Sequence, residues 1–104
     1  MAILENSFKW SFTSTGTGKA FDCRGYARNL TFGLETSSGC TATIVIQTRM
    51  GSSAGPYGAL GSTALSTGAF VPLQFSGPLE WVRPRVADIT AGSTHVITVY
   101  LRGN

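Results

Sequence analysis

Residues 40–49 read CTATIVIQTR, and this stretch decides the fold class of the chain. Its side chains fall into two alternating sets, Ala42, Ile44 and Ile46 against Thr43, Val45 and Gln47. Successive side chains of a β-strand point to opposite faces, so a period of two residues predicts a strand. Both sets contain β-branched residues, which indicates a central strand whose two faces are both at least partly covered.

The same period recurs on both sides of this strand. Its apolar positions are Phe8, Trp10 and Phe12; Leu30, Phe32 and Leu34; Val71, Leu73 and Phe75; and Val82 with Val86. The last run, THVITVYL (94–101), has β-branched or aromatic residues on both faces, and segments rich in glycine, serine and proline separate the runs. No glycine-free segment of ten residues has helical periodicity. We therefore predict an all-β fold, a single antiparallel β-sandwich of jelly-roll or immunoglobulin type with six to eight short strands.

The composition is that of one small domain with little charge. At 104 residues the chain has the size of a single domain, which we assign to residues 1–104. Hydrophobic residues make up 42% of it and charged residues only 12%, against roughly 25% in an average domain. Because an uncharged folded surface associates readily with other surfaces, the composition favours a subunit of an assembly.

Two segments are candidates for contacts with a neighbouring subunit. Residues 51–68, GSSAGPYGALGSTALSTG, predict a long loop rich in glycine and serine, either a flexible hairpin tip or an arm that orders on a neighbour. The N-terminal segment, residues 1–13, begins with Ile3 and Leu4, which a free terminus would leave exposed. We expect these two residues to bind a partner.

The charge pattern argues against two classes of partner. The net charge of +3 is scattered along the chain, with no basic run interleaved with aromatic residues, so we expect no nucleic acid among the partners. The first residues do not have the pattern of a secretory signal peptide, a charged segment followed by an apolar stretch. No run approaches the roughly 18 apolar residues of a membrane span. We expect a soluble protein made in the cytosol, without a membrane partner.

Residues that could carry chemistry are few. His95 is the single histidine, and the five acidic residues lie in different segments, so we expect no catalytic residues, no cofactor and no metal. Cys23 and Cys40 are too few for a disulfide scaffold and have no metal-type spacing. In a reducing compartment such cysteines are more often small buried apolar residues than a bridge, so we expect free thiols.

Residues 78–89, PLEWVRPRVADI, place two arginines inside a stretch that otherwise reads as a strand. Period two puts Trp81, Arg83 and Arg85 on the face opposite to Val82, Pro84 and Val86. Proline lacks the N–H that a strand ladder needs, so we predict a strand at a sheet edge or one bulged at Pro84. Tryptophan and arginine are enriched at protein interfaces, which makes these three residues candidates for partner binding. The alternative is that the arginine stems only cover Trp81 on a solvated face.

Two stretches resemble a known group of proteins. These are LTFGLETSSGCTATIVIQTR (30–49) and WVRPRVADITAGSTHVITVYLRG (81–103), the latter preceded by a strand of the G-F-V-P-L kind. They resemble the small β-sandwich virion structural proteins of tailed bacteriophages, over roughly residues 28–104. The resemblance implies a non-enzymatic capsid decoration or cement protein on the virion surface, synthesised in the host cytoplasm. Its partners would be the major capsid protein and itself, often as a homotrimer.

The resemblance also admits another virion part. A tail, fibre or head-fibre β-module, possibly one that binds carbohydrate, is the alternative. An exposed aromatic platform built from Trp10, Tyr57 or Trp81 would favour the carbohydrate function. Under the decoration function, Tyr57 joins Trp81, Arg83 and Arg85 as a candidate for binding the capsid partner.

Overall fold

Strands make up most of the chain in the structure, a computed structural model that describes residues 4–23, 29–37, 39–50, 56–66, 68–76, 79–91 and 96–103. The strands are β1 (Leu4–Phe12), β2 (Gly16–Thr17), β3 (Phe21–Asp22), β4 (Asn29–Thr36), β5 (Cys40–Arg49), β6 (Gly58–Leu65), β7 (Phe70–Ser76), β8 (Trp81–Ala91) and β9 (Ile97–Gly103). The predicted all-β class is confirmed. Seven of the strands have seven residues or more, within the expected number, and the two-residue strands β2 and β3 are too short to leave a period in the sequence. Within the described residues there is no helix that could cross a membrane.

The strands form two antiparallel sheets. Sheet one has the order β1-β9-β4-β7, and sheet two has the order β2-β8-β5-β6 with β3 also paired to β8. Neighbours in these sheets are mostly distant in the chain, as where β9 lies between β1 and β4. The inner faces of the sheets pack against each other, which confirms the predicted sandwich.

The core between the sheets follows the alternation read from the sequence. Side chains with at most 2% of their surface exposed come from both sheets: Leu30, Phe32, Leu34, Ile97, Val99 and Leu101 from sheet one, and Cys40, Ile44, Ile46, Val82 and Val86 from sheet two. Directly opposed residues of paired strands share a face. Phe32 thus lies between Leu73 and Leu101, and Ile44 lies beside Val86.

The N-terminal segment pairs with strand β9 of its own chain. The backbone of Leu4 lies opposite Gly103, and Trp10 lies opposite Val99. Ile3, and the side chain of Leu4, lie outside the described residues, so docking of this terminus on a neighbour stays a prediction. Trp10 is 7% exposed and donates a hydrogen bond from Nε1 to the carbonyl of Lys19 at 2.8 Å. Trp10 therefore cannot contribute to an exposed aromatic platform, because its ring is part of the core.

The predicted loop over residues 51–68 is wrong for its second half, which forms strand β6. This strand pairs with β5 along its length, with Leu65 buried beside Ala42. At Gly61, a ring from the other sheet occupies the space beneath this strand. A Cβ atom added at Gly61 would lie 3.1 Å from Cζ of Phe75 in β7. Small residues in β6 thus complement a large one in β7. Residues 51–55 and 67 lie outside the described residues.

Gly18 lies between β2 and β3 and is close to the rings of Trp10 in β1 and Pro84 in β8, so we expect Gly18→Ala to destabilise the fold. A Cβ atom at this position would lie 2.7 Å from Cδ1 of Trp10 and 3.0 Å from Cγ of Pro84, both in rings that cannot swing away. Overpacking of this kind should lower the free energy of unfolding by about 1–3 kcal/mol in urea denaturation. The matched control is Gly58→Ala, because nothing lies within 4 Å of a Cβ atom there. Equal effects of the two substitutions would contradict the expectation.

Candidate functional site

Strand β8 presents the two faces that the sequence predicts. Val82, Pro84 and Val86 are buried in the core, while Trp81 and Arg83 are half-buried and Arg85 is exposed on the outer face of sheet two. The period-two assignment of this stretch is confirmed.

Pro84 is accommodated on the side of β8 that faces β2 and β3. Its carbonyl accepts a hydrogen bond of 2.8 Å from the backbone N–H of Gly18 on that side. The nitrogen and the carbonyl of one strand residue point to the same side, so the missing N–H faces the break between β2 and β3 rather than β5. The bulge of this strand is at Ala87, since Ile44 pairs with Val86 and Thr43 with Asp88. Both predicted alternatives are therefore wrong: the bulge is not at Pro84, and β8 is not an edge strand but lies one position inside an edge that the two-residue strands β2 and β3 form among the described residues.

A cluster of arginine and aromatic side chains covers the outer face of sheet two where β8, β5 and the start of β6 meet. We call it the arginine–aromatic cluster; it consists of Arg49, Tyr57, Trp81 and Arg83. Cζ of Arg83 lies 3.7 Å from the centre of the Tyr57 ring. Cζ of Arg49 lies 5.0 Å from the Tyr57 ring centre and 5.4 Å from that of Trp81. Such distances are those of cation–π contacts, so each guanidinium is held against a ring.

Cross-strand pairing sets this arrangement. In the register of β5 and β8, Arg83 lies opposite Gln47, and Arg49 lies opposite Trp81. Nε of Arg83 donates a hydrogen bond of 2.8 Å to Oε1 of Gln47. The Thr48 hydroxyl donates one of 2.9 Å to the carbonyl of Trp81. The two strands thus hold the guanidinium of Arg83 from one side while Tyr57 holds it from the other.

The positive charges of this face are not neutralised within the described part of the chain. Arg49, Arg83 and Arg85 form no ion pair with a described carboxylate, and Nε of Arg49 is buried without a hydrogen-bond partner among the described residues. Arg85, opposite Val45 and Thr17, projects from the same face. Three guanidinium groups lie on one sheet face, two of them oriented by aromatic rings, and they can donate hydrogen bonds to carboxylates from outside the chain.

The structure brings together some of the residues predicted to bind a partner and separates others. Tyr57, Trp81 and Arg83 are in contact through the cluster, and Arg85 lies beside them. Leu4 belongs to sheet one, on the other side of the sandwich. Sequence reasoning missed Arg49, although it continues the period of residues 40–49 on the face of Gln47. Its position beside Trp81 depends on the β5–β8 register, which no sequence pattern states.

The contacts of the guanidinium groups bear on the two interpretations of the arginines, partner binding and covering of Trp81. Arg49 is the arginine that lies over Trp81, while Arg83 stacks on Tyr57 and Arg85 contacts neither ring. The guanidinium over Trp81 is thus that of Arg49, and whether the stems of Arg83 and Arg85 also cover this ring stays a prediction. The same contacts mean that Tyr57 and Trp81 do not form a bare aromatic platform for a sugar.

Both cysteines are buried free thiols, as expected. Sγ of Cys23 donates a hydrogen bond of 3.3 Å to the carbonyl of Leu79. Burial raises the pKa of the Cys23 thiol to about 11, with smaller opposing and additive contributions from a backbone hydrogen bond and from Asp22 and Glu80. Among the described residues, no three His, Cys, Asp or Glu side chains form a group that could hold a metal ion.

The raised pKa of Cys23 predicts a loss of stability in alkali. The unfolded chain releases the thiol proton near pH 9, whereas the folded chain keeps it to about pH 11. The unfolded state therefore binds fewer protons between these values, and the free energy of unfolding falls as the pH rises through them. Urea denaturation at pH 8 and pH 10.5 should show this fall in the wild type and a smaller one in Cys23→Ala. A fall of equal size in both proteins would assign it to other groups.

Comparison with known proteins finds a similar solved structure but no matching family. No family model and no curated protein matches the chain. Among solved structures, the crystal structure of the SPBc2 prophage-derived protein YomS is similar, with a TM-score of 0.59 and 20% identity over 100% of both chains. The chain therefore shares its whole fold, from one end to the other, with a prophage-derived protein.

Proposed function

We propose that this chain is a bacteriophage virion structural protein of the capsid decoration type. It binds the outside of the shell where major capsid protein subunits meet, through the outer face of sheet two. The observation that carries the proposal is the arginine–aromatic cluster with Arg85 beside it, whose charges have no carboxylate partner among the described residues. The fold shared with a prophage-derived protein and the resemblance over residues 28–104 support a phage origin.

The cluster suits binding to a protein surface that carries carboxylates. Arginine, tyrosine and tryptophan are the residue types that most often dominate the energy of such interfaces. Arg83 is already held by Gln47 and Tyr57, so less conformational entropy is lost when it pairs with a carboxylate than for a free side chain. Its two terminal nitrogens are then free for bidentate pairing.

Binding of this kind would stabilise the shell by mass action. A protein that binds the assembled shell more tightly than the free subunits shifts the equilibrium towards assembly. A homotrimer would offer three such faces to symmetry-related subunits, and linked weak contacts reinforce one another. Sedimentation of the free protein tests the trimer, and a map of the virion distinguishes the capsid surface from a tail or fibre position.

We expect Arg85→Glu to lower the affinity for the shell by about 10–100-fold, because it places a negative charge against carboxylates of the partner. The fold should keep its stability to within about 0.5 kcal/mol, since Arg85 is exposed and unpaired among the described residues. The measurement is co-sedimentation with shells assembled from the major capsid protein of the encoding phage.

The matched control is Arg102→Glu, an exposed arginine in a strand of sheet one. It should bind the shell like the wild type. Equal binding by both variants, or equal weakening, would contradict docking through sheet two. Duplex-DNA binding with a steep salt dependence, lost in the Arg83→Ala/Arg85→Ala variant, would assign the arginines to nucleic acid instead.

A further inference from the structure

The outer face of sheet one, on the opposite side of the sandwich, carries a depression of about 330 Å³. It is lined by Thr31, Gly33, Phe70, Pro72, Tyr100 and Arg102. Strand register explains the grouping, since Gly33 in β4 lies between Pro72 in β7 and Tyr100 in β9. None of these residues belongs to the arginine–aromatic cluster, so the depression is a separate site.

An aromatic ring forms one side of the depression. Phe70 is 56% exposed, which is unusual for phenylalanine in a small folded domain. A Cβ atom added at Gly33 would lie 2.8 Å from both Cε1 and Cζ of Phe70 and 3.6 Å from Cβ of Tyr100. The absence of a side chain at Gly33 therefore lets the far edge of the Phe70 ring lie against the sheet, next to Tyr100. The sequence pattern missed this ring because Phe70 falls on the face opposite to Val71.

Polar side chains lie in the depression and at the neighbouring positions of the same sheet face. Thr31 lies between Gln74 and Arg102 in the sheet, and Glu35 lies opposite Phe70. The side chains of these four residues make no hydrogen bond or ion pair with any described residue. Thr31 and Arg102 line the depression, whereas Gln74 and Glu35 lie beside it, opposite Thr31 and Phe70 in the sheet. Together they form a mixed rim of hydroxyl, guanidinium, amide and carboxylate groups, which supplies both donors and acceptors.

We propose that this depression binds a carbohydrate, as a pyranose ring of one or two sugar units. The C–H face of a pyranose packs on an aromatic ring, and its hydroxyls both donate and accept hydrogen bonds, which matches the exposed Phe70 ring and the mixed rim. The side chains of an apolar peptide would form no hydrogen bonds with the charged groups of Arg102 and Glu35. The volume lies at the lower end of the range for small-molecule sites, so we expect weak binding with dissociation constants of about 1–10 mM.

The test is a titration of the isolated chain with methyl glycosides of glucose, galactose, mannose, rhamnose and N-acetylglucosamine, followed by amide NMR shifts. We expect saturable shifts at residues 31–33, 70–74 and 100–102 with at least one of these probes. Phe70→Ala should weaken that binding at least tenfold, and Phe70→Tyr should retain it, because the tyrosine ring can lie in the same place. Arg85→Glu is the control and should bind the sugar like the wild type.

The outcomes separate this proposal from the decoration function, since no shell is present in the titration. No saturable shift with any of the five probes up to about 50 mM would overturn the carbohydrate site. Shifts that persist in Phe70→Ala would overturn it as well. So would self-association of the chain that depends on Phe70 and occurs without a response to sugar, because the occupant would then be a second copy of the chain.

Discussion

Replacing Phe32 by alanine should lower the free energy of unfolding by about 3–5 kcal/mol. Phe32 has no exposed surface, and its ring packs edge-on against Phe75 at a centroid distance of 5.8 Å. It lies at the centre of sheet one, between Leu73 and Leu101, so truncation leaves a cavity that rigid neighbouring strands cannot close. Small domains are stable by only about 5–15 kcal/mol, so a large part of the total would be lost.

The measurement for Phe32→Ala is urea denaturation followed by tryptophan fluorescence. The chain offers a matched control in Phe70, a second phenylalanine in a strand of the same sheet but exposed on its outer face. Phe70→Ala should cost less than about 1 kcal/mol. A loss below about 1 kcal/mol for Phe32→Ala, or similar losses for the two variants, would show that the assigned inner and outer faces of sheet one are wrong.

Trp10→Ala should have an effect of the same size, about 3–5 kcal/mol, for a different reason. Trp10 packs edge-on against Phe8 at 4.7 Å and lies against Gly18, and its Nε1 donates to the Lys19 carbonyl. Gly18 and Lys19 belong to the link between β2 and β3, which runs along β8 of sheet two. The indole therefore joins β1 to the opposite sheet.

Trp10→Phe separates the hydrogen bond from the packing. It keeps an aromatic ring but leaves the Lys19 carbonyl without the indole donor, and we expect a loss of about 1–3 kcal/mol. Lys9→Ala, at the exposed neighbouring position of the same strand, is the control and should change stability by about 0.5 kcal/mol or less. Thermal unfolding compares the three variants. A Trp10→Phe variant as stable as the wild type would mean that the hydrogen bond contributes little.

Much of the fold could be predicted because a half-buried strand leaves a period of two in its side chains. The period places Phe32 and Ile44 on the same strand faces as their apolar neighbours, and both are fully buried. The same rule put Phe8, Trp10 and Phe12 on one face, which was already a reason to place Trp10 in the core. Trp10 is buried, in agreement with that period, so residue type alone does not predict which aromatic rings are exposed.

The remaining features depend on contacts between distant strands. Gly61 in strand β6 lies against the ring of Phe75, and no signal within residues 58–65 reports a ring in another strand. Arg49 joins the site only through its pairing opposite Trp81. In the sequence alone, a glycine at position 33 indicates only a weakened strand, because nothing near it shows that the ring of Phe70 lies over this position. In each case the determining neighbour is more than 10 residues away in the chain.

Charges on the two outer faces of the sandwich are largely screened from each other by salt. Packed sheets lie about 10 Å apart, and Arg85 and Arg102 point outward from opposite sheets, so their charges are separated by more than the Debye length of about 8 Å at physiological ionic strength. Counterions therefore screen each face on its own. The dependence of shell binding on salt should report the charge of sheet two alone and stay the same when the charge of residue 102 is reversed. Charged ligands on the two faces would therefore attract or repel each other little, so the domain could hold a partner on each face with little electrostatic effect of one on the affinity of the other.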